Sequence, residues 1–228
     1  MTKFPDGKLY IDGKLREAQG GAKYENINPW TGEVVGYAAD GSAADMEEAI
    51  AAARRAFDDT DWPTNHAKRR ELVLKLGQKL RENRDRLAEY ARWEGGAALG
   101  GVAFAHVDRP LSFLEDLLAM FDKIEWEQDL GAMELMGSRH RRTLVKEPAG
   151  VVGAIIPWNV PFYITIGKCI PALLTGCTVI LKPAPETPLI GAIVGELAAE
   201  IGFPPGVINV VTGKDPALLG EMLVTDKR

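Results

Sequence analysis

The chain has 228 residues, 46% hydrophobic and 26% charged, with 27 basic against 32 acidic side chains for a net charge of -5. That length holds one good-sized domain or two small ones, and the composition is that of an ordinary globular protein. Mild acidity without a clustered basic face excludes nucleic acid as a partner, and no stretch reaches the roughly 18 consecutive apolar residues of a membrane helix.

Residues 1–8 carry no apolar core of leader-peptide length, so the expected address is the cytoplasm. Leu9-Tyr10-Ile11-Asp12-Gly13-Lys14-Leu15 predicts two short strands around an Asp-Gly turn. Asn28-Pro29-Trp30-Thr31-Gly32-Glu33 predicts a turn-rich loop running into Val34-Val35. Ser42 with Asp45 makes a capping-box pattern, and Met46, Ala49, Ile50, Ala53 and Phe57 follow at helical spacing. Leu72, Leu76, Leu80 and Leu87 predict a second helix stopped by Gly95-Gly96. A third carries Leu111, Leu114, Leu118 and Phe121 on one face, with Pro110 in its first turn. Residues 125–147, with Met133-Glu134-Leu135-Met136 and Arg141-Arg142-Thr143-Leu144-Val145, read as a two-strand excursion. The basic run Arg139-His140-Arg141-Arg142 is expected on a solvated strand.

Beyond about residue 143 the texture changes. Val151-Val152-Gly153-Ala154-Ile155-Ile156 is a continuous apolar run, expected as a strand buried on both faces. A helix follows from Tyr163 to about Leu174, and then a strand at Thr178-Val179-Ile180-Leu181. Next come a helix from Leu189 to Ile201 closed by Gly202, a strand at Val207-Ile208-Asn209-Val210-Val211, and a helix from Pro216. Such alternation implies parallel pairing through right-handed crossovers, hence an α/β sheet. Sites in these sheets lie at the carboxyl ends of the strands. Here those ends are Pro157-Trp158-Asn159, Lys182-Pro183-Ala184 and Thr212-Gly213, converging on one edge.

Several chemistries find no support. The dinucleotide fingerprint G-x-G-x-x-G and the P-loop are absent; Gly95-Gly96-Ala97-Ala98-Leu99-Gly100-Gly101 has the wrong spacing and reads as a helix terminus and loop. Three scattered histidines, His66, His106 and His140, offer no metal-ligand spacing. Cys169 and Cys177 are too few for a disulfide framework and are expected as buried, reduced thiols. Residue patterns alone end at an α/β domain with a polar strand-end edge.

A resemblance extends the reading. Residues 150–159, then Pro161, Lys168 and Pro171-Ala172-Leu173, resemble the aldehyde dehydrogenase superfamily, as do residues 179–188 and 202–213. Asn28-Pro29-Trp30-Thr31-Gly32-Glu33 and Ala51-Ala52-Ala53-Arg54-Arg55-Ala56-Phe57 are similar to it too, so the likeness covers nearly the whole chain. It implies an incomplete Rossmann-like parallel sheet with flanking helices, an N-terminal helical region (1–124), a β oligomerisation arm (125–147) and a truncated cofactor-binding core (148–228). The implied function is NAD(P)-dependent oxidation of an aldehyde to a carboxylic acid, in a homo-oligomer without membrane or nucleic-acid partners.

Residue roles follow from that resemblance. Asn159 matches the asparagine that helps form the oxyanion hole; the alternative is a cap on the helix beginning near Pro161. Lys182 matches the lysine contacting the adenosine ribose; the alternative is a surface lysine paired with an acid. Ile155, Ile156, Pro157 and Trp158 are expected to supply contacts to the dinucleotide, with Pro183, Ala184 and Pro185 under the adenosine and Gly213 on the adenine side. Many NAD-preferring members carry glutamate where this chain has Pro185, which leaves NAD or NADP open. Lys168 matches a proton-relay lysine, credible for a partly buried amine, or else snorkels from its helix. Val160, Tyr163, Ile164 and Gly167 are expected along the substrate tunnel, with Gly167 giving a wide mouth suited to apolar or aromatic aldehydes.

The family's nucleophilic cysteine, its glutamate base and the turn meeting the pyrophosphate are expected downstream of Asp226-Lys227-Arg228. Neither Cys169 nor Cys177 matches the nucleophile. The chain is therefore expected to be an N-terminal, cofactor-binding half, inactive alone. Two other readings are a non-catalytic dinucleotide-binding or oligomerisation module and one chain of a split enzyme.

Overall fold

Asp12 and Gly13 both adopt left-handed φ, 49° and 77°, and so join β1 (Leu9–Ile11) to β2 (Lys14–Arg16) through the tight turn their sequence predicts. The computed structural model that shows this describes residues 3–228, apart from the side chain of Ala103; Met1 and Thr2, part of the stretch read above as leader-free, lie outside the described residues. A second hairpin pairs β3 (Lys23–Ile27) with β4 (Val34–Ala39), and its loop is held by Asn28 Oδ1, which accepts from the Trp30 and Thr31 amides at 2.8 and 3.2 Å.

Helix α1 (Ala43–Asp59) opens on the expected capping box, with both reciprocal Ser42–Asp45 bonds present. The single helix expected through Leu87 is two: α2 (His66–Glu82) and α3 (Arg84–Trp93). The break is Asn83, whose backbone N–H and side-chain amide both turn back onto the Lys79 carbonyl, a local bonding pattern that competes with helix continuation. The glycine-rich segment expected as a loop is partly helical. There α4 (Leu99–Gly101) passes into a π-helical turn at Val102–His106 and then into α5 (Asp108–Phe121), with Pro110 in its first turn. The poor helix propensity of glycine hides this from sequence.

The two-strand excursion is β5 (Glu127–Leu135) paired antiparallel with β6 (Ser138–Val145) across the left-handed Met136-Gly137 turn. Every residue of both strands is exposed, including the basic run.

The remaining elements are β7 (Val151–Ile155), α6 (Pro161–Leu174), β8 (Thr178–Lys182), α7 (Leu189–Ile201), β9 (Ile208–Val210) and α8 (Pro216–Thr225). Strands β7, β8 and β9 pair in parallel, Ile155 opposite Lys182 and Leu181 opposite Val210. The N-terminal hairpin then joins them, β1 running antiparallel to β9 at Tyr10 and Val210, to give the order β2-β1-β9-β8-β7. The sheet is thus mixed, and the first region of the chain shares it with the last.

Helices α6 and α7 cover one face, backed by α2 and α5, while α1 and α8 cover the other. Alternation along β8 serves both layers: Val179 and Leu181 enter the larger core, Ile180 the smaller. All five residues of β8 are buried, as a central parallel strand requires. The same expectation for residues 151–156 is corrected. As an edge strand β7 buries only Ala154 of its five residues, and Ile155 is 37% exposed. Among the described residues no helix is long and apolar enough to cross a membrane, and no group of three metal-ligating side chains forms.

Candidate functional site

Because β7, β8 and β9 run in parallel, their carboxyl ends share one rim. Asn159 lies four residues beyond β7, Lys182 closes β8, and Gly213 lies three residues beyond β9.

Past β7 the Ile156 amide donates to the Lys182 carbonyl at 3.0 Å and its side chain is buried. Pro157, Trp158 and Asn159 then emerge into solvent before Pro161 starts α6 with its fixed φ. The helix cap is Val160, and no side chain bonds to the helix start, so Asn159 does not serve as the cap. Its amide is exposed at the rim.

Lys182 is 2% exposed. Its ammonium makes one long bond, to the Pro183 carbonyl at 3.4 Å, and no carboxylate pairs with it among the described residues. Burial pulls its pKa below the ordinary lysine value, with Glu186 and Asp215 acting weakly the other way. The alternative of a surface lysine in an ion pair therefore fails. Pro183 packs against the start of α7 so closely that a Cβ on Gly191 would stand 2.3 Å from its ring. Ala184 is buried and accepts the Thr187 amide at 3.1 Å; Pro185 is half-buried and Glu186 exposed. Gly213 fits under α8, where a Cβ would stand 2.4 Å from Leu219 Cδ1. Asp215 caps that helix, accepting from the Ala217 and Leu218 amides at 3.0 Å.

The α6 residues read as lining a tunnel, Val160, Tyr163, Ile164 and Gly167, are all half-buried. Among the described residues Phe113 of α5 is the one group near Gly167, 3.8 Å from where a Cβ would be, an ordinary contact distance, and stacks on Tyr163 with centroids 5.7 Å apart. Lys168 was expected partly buried but is exposed, because it sits on the outer side of α6. From there its ammonium donates to the Ile155 carbonyl at 2.7 Å, fixing it beside the end of β7. Cys169 and Cys177 are buried and free, as expected, and burial pushes the Cys169 thiol up to about 12, far from a ready nucleophile.

Sequence reasoning missed Phe113, which stands off the Leu111–Leu114 stripe, and Glu94, which no local pattern singles out. Glu94 is 3% exposed, accepts from Asn26 Nδ2 at 2.7 Å and from the Leu189 and Ile190 amides at 2.9 and 2.7 Å, and has its pKa pushed by burial up to about 8. It borders a cleft of about 700 Å³ shared with Tyr24, Asp40, Pro185 and Lys214.

A family model described as the aldehyde dehydrogenase family matches residues 15–228. The chain is 37% identical over 207 residues to aldehyde dehydrogenase 1 of Tanacetum cinerariifolium, covering 90% of this chain and 40% of that protein. The same identity over 207 residues relates it to an aminoacetaldehyde dehydrogenase of Pseudomonas aeruginosa, covering 90% and 41%. Among solved structures, the NAD-dependent aldehyde dehydrogenase of Sinorhizobium meliloti superposes with a TM-score of 0.86 at 33% identity, covering 97% of this chain and 43% of that one. Betaine aldehyde dehydrogenase of Staphylococcus aureus, solved with NAD+, gives 0.86 at 32% identity, covering 95% and 43%. The chain spans about two fifths of the length of these curated relatives. The chain belongs to the aldehyde dehydrogenase family.

Proposed function

We propose that this chain provides the dinucleotide-binding rim and the oxyanion donor for oxidation of an aldehyde to a carboxylic acid. The observation that carries the reading is Lys182, a buried ammonium without a carboxylate partner among the described residues. An ammonium has three protons to donate, and the single 3.4 Å bond to Pro183 leaves donors for a ribose diol. Ile155, Ile156, Pro157 and Trp158 on one side and Pro183, Ala184, Pro185 and Gly213 on the other would hold the rest of the adenosine end. A bound nicotinamide dinucleotide supplies the hydride acceptor.

Asn159 presents a neutral N–H at the rim, suited to the negative charge that develops on an aldehyde oxygen; one such donor is worth about 2.7–4 kcal/mol. Lys168, which donates to the Ile155 carbonyl at the end of β7, would act as the proton relay. Val160, Tyr163 and Ile164, with Phe113 over Gly167, favour an apolar or aromatic aldehyde. Neither buried cysteine is assigned the attack on the aldehyde carbon. Pro185 carries no carboxylate to repel a 2′-phosphate, which keeps NADP in play, while NAD+ complexes of the relatives from Staphylococcus aureus and Bacillus cereus favour NAD. Residues 125–147 are assigned to self-association and 148–228 to the cofactor core, with 1–124 packed on it.

Calorimetric titration of the chain with NAD and NADP tests the reading. Binding of at least one dinucleotide, abolished in Lys182→Met, is expected. Absence of heat with both would end it.

A further inference from the structure

Helix α7 begins without a local cap: its N-cap residue is Pro188, and no neighbouring side chain bonds to its first amides. Those amides need acceptors, since the opening turn of any helix leaves its N–H groups unpaired. Glu94, 95 residues earlier in sequence and at the end of α3, supplies them. Its Oε2 accepts from Leu189 N at 2.9 Å and its Oε1 from Ile190 N at 2.7 Å. Oε2 also takes the side-chain amide of Asn26 from β3 at 2.7 Å, so three elements meet on one carboxyl group. A negatively polarised group there also suits the positive end of the helix dipole.

What α7 holds is the segment that follows β8. Lys182 ends the strand and α7 starts seven residues later. Pro183 lies against Gly191 in the helix's first turn, and the Thr187 amide folds back to Ala184. Shifting the start of α7 therefore shifts Pro183, and with it the acceptor of the Lys182 ammonium.

We infer that Glu94 is a positioning residue for the cofactor rim: by bonding the first two amides of α7 to α3 and β3, it sets the path of residues 183–188 and keeps Lys182 buried and aimed. The inference rests on the cofactor reading above only for what Lys182 is aimed at.

Two measurements test it on the whole chain: the rate at which acetic anhydride labels Lys182, read by mass spectrometry, and the dissociation constant for NAD or NADP. Glu94→Ala removes all three acceptor bonds. Glu94→Gln keeps one acceptor oxygen and serves as the partial rescue, or as the informative variant should the alanine chain not fold. Leu118→Ala, in the core on α5 and distant in sequence from the segment, supplies a general loss of stability. Glu94→Ala is expected to raise both labelling and the dissociation constant by about tenfold, the factor that accompanies losing one to two net hydrogen bonds. Glu94→Gln should fall between it and the native chain, and Leu118→Ala should leave both unchanged.

Unchanged values in both Glu94 variants, or equal changes in Leu118→Ala, would overturn the inference. If the native chain binds neither dinucleotide while Lys182 labelling follows the expected order, the positioning stands and the cofactor reading falls.

Discussion

Two glycines in two helices face the same substitution with opposite expected results. Gly191 opens α7 and Gly220 sits within α8. Replacing a helical glycine by alanine ordinarily stabilises by about 0.5–1 kcal/mol, through the unfolded chain's lost freedom. At Gly220 nothing stands within 4 Å of the new Cβ, so that gain is realised. At Gly191 the Cβ would stand 2.3 Å from Pro183 Cγ and 2.9 Å from its Cβ, where ordinary contact begins at 3.4 Å. The proline ring cannot rotate away as a leucine would, so the helix or the strand end gives way by about 1 Å. Overpacking of this kind costs about 1–3 kcal/mol, which outweighs the propensity gain and leaves a net loss of about 1–2 kcal/mol. Urea unfolding of both variants measures the difference, and dinucleotide titration measures its reach. Gly191→Ala should lose affinity as Lys182 is displaced, and Gly220→Ala should keep it. Equal stability changes of the same sign in the two variants would refute the argument that Pro183 is pressed onto α7.

Two further outcomes follow from other contacts. Gly206 has φ of 79°, and a Cβ there would stand 2.3 Å from the Ala52 carbonyl oxygen of α1, a backbone atom with nowhere to go. Gly206→Ala should therefore cost about 2–5 kcal/mol, left-handed strain added to overpacking; a loss under about 1 kcal/mol in urea unfolding would contradict the packing of α1 on the turn before β9. Glu94 titrates near 8 when folded against an ordinary value of 4.5, so the folded chain holds that proton more tightly than the unfolded one. The associated stability is complete below about pH 4.5 and is lost as pH rises through 8, at up to about 1.4 kcal/mol per pH unit. Burial lowers the pKa of His66 and His106, which makes stability rise with pH, but only up to their ordinary value of 6.5. Between about pH 6.5 and 8 chemical denaturation should thus show falling stability, flattened in Glu94→Gln; a flat native profile over that window would count against a buried neutral carboxyl group.

The parts of the fold that announce themselves do so through local physics. Residues 178–181 are apolar without interruption because β8 is covered on both faces, and Gly202 stops α7 because its φ of 72° is costly for any other residue. The capping box of α1 involves four consecutive residues and was legible for that reason. What stayed hidden depends on partners far along the chain. Strand β1 is three residues long, and nothing in Leu9-Tyr10-Ile11 says that it will pair with β9, or that Asn209 Oδ1 will accept the Asp12 amide at 3.0 Å. The break at Asn83 lies inside an uninterrupted leucine periodicity, so spacing alone read through it. At the site, Asn159, Lys182 and Gly213 follow from strand-end logic and motif likeness. Glu94 and Phe113 act across 95 and 50 or more positions, and only the packed structure brings Glu94 to α7 and Phe113 over Gly167.

Among the described residues two cations are buried, and they differ in their partners. Arg69 and Lys182 are both essentially inaccessible, and burial lowers the pKa of each. Arg69 meets most of its desolvation within the fold, although its Nη2 finds no hydrogen-bond partner among the described residues. Its Nε donates to the Leu174 carbonyl at 2.9 Å, at the end of α6 where a cation suits the helix dipole. Its Nη1 donates to the carbonyls of Trp62 and Pro63 at 3.1 and 2.6 Å. Lys182 has one bond of 3.4 Å among the described residues. Burying an ammonium with so few acceptors destabilises the chain, and a methionine of similar length would remove that cost. At the end of a central strand, on the rim that Asn159 and Gly213 share, Lys182 is the group the proposed dinucleotide site would use, since a ribose diol would bring it further acceptors.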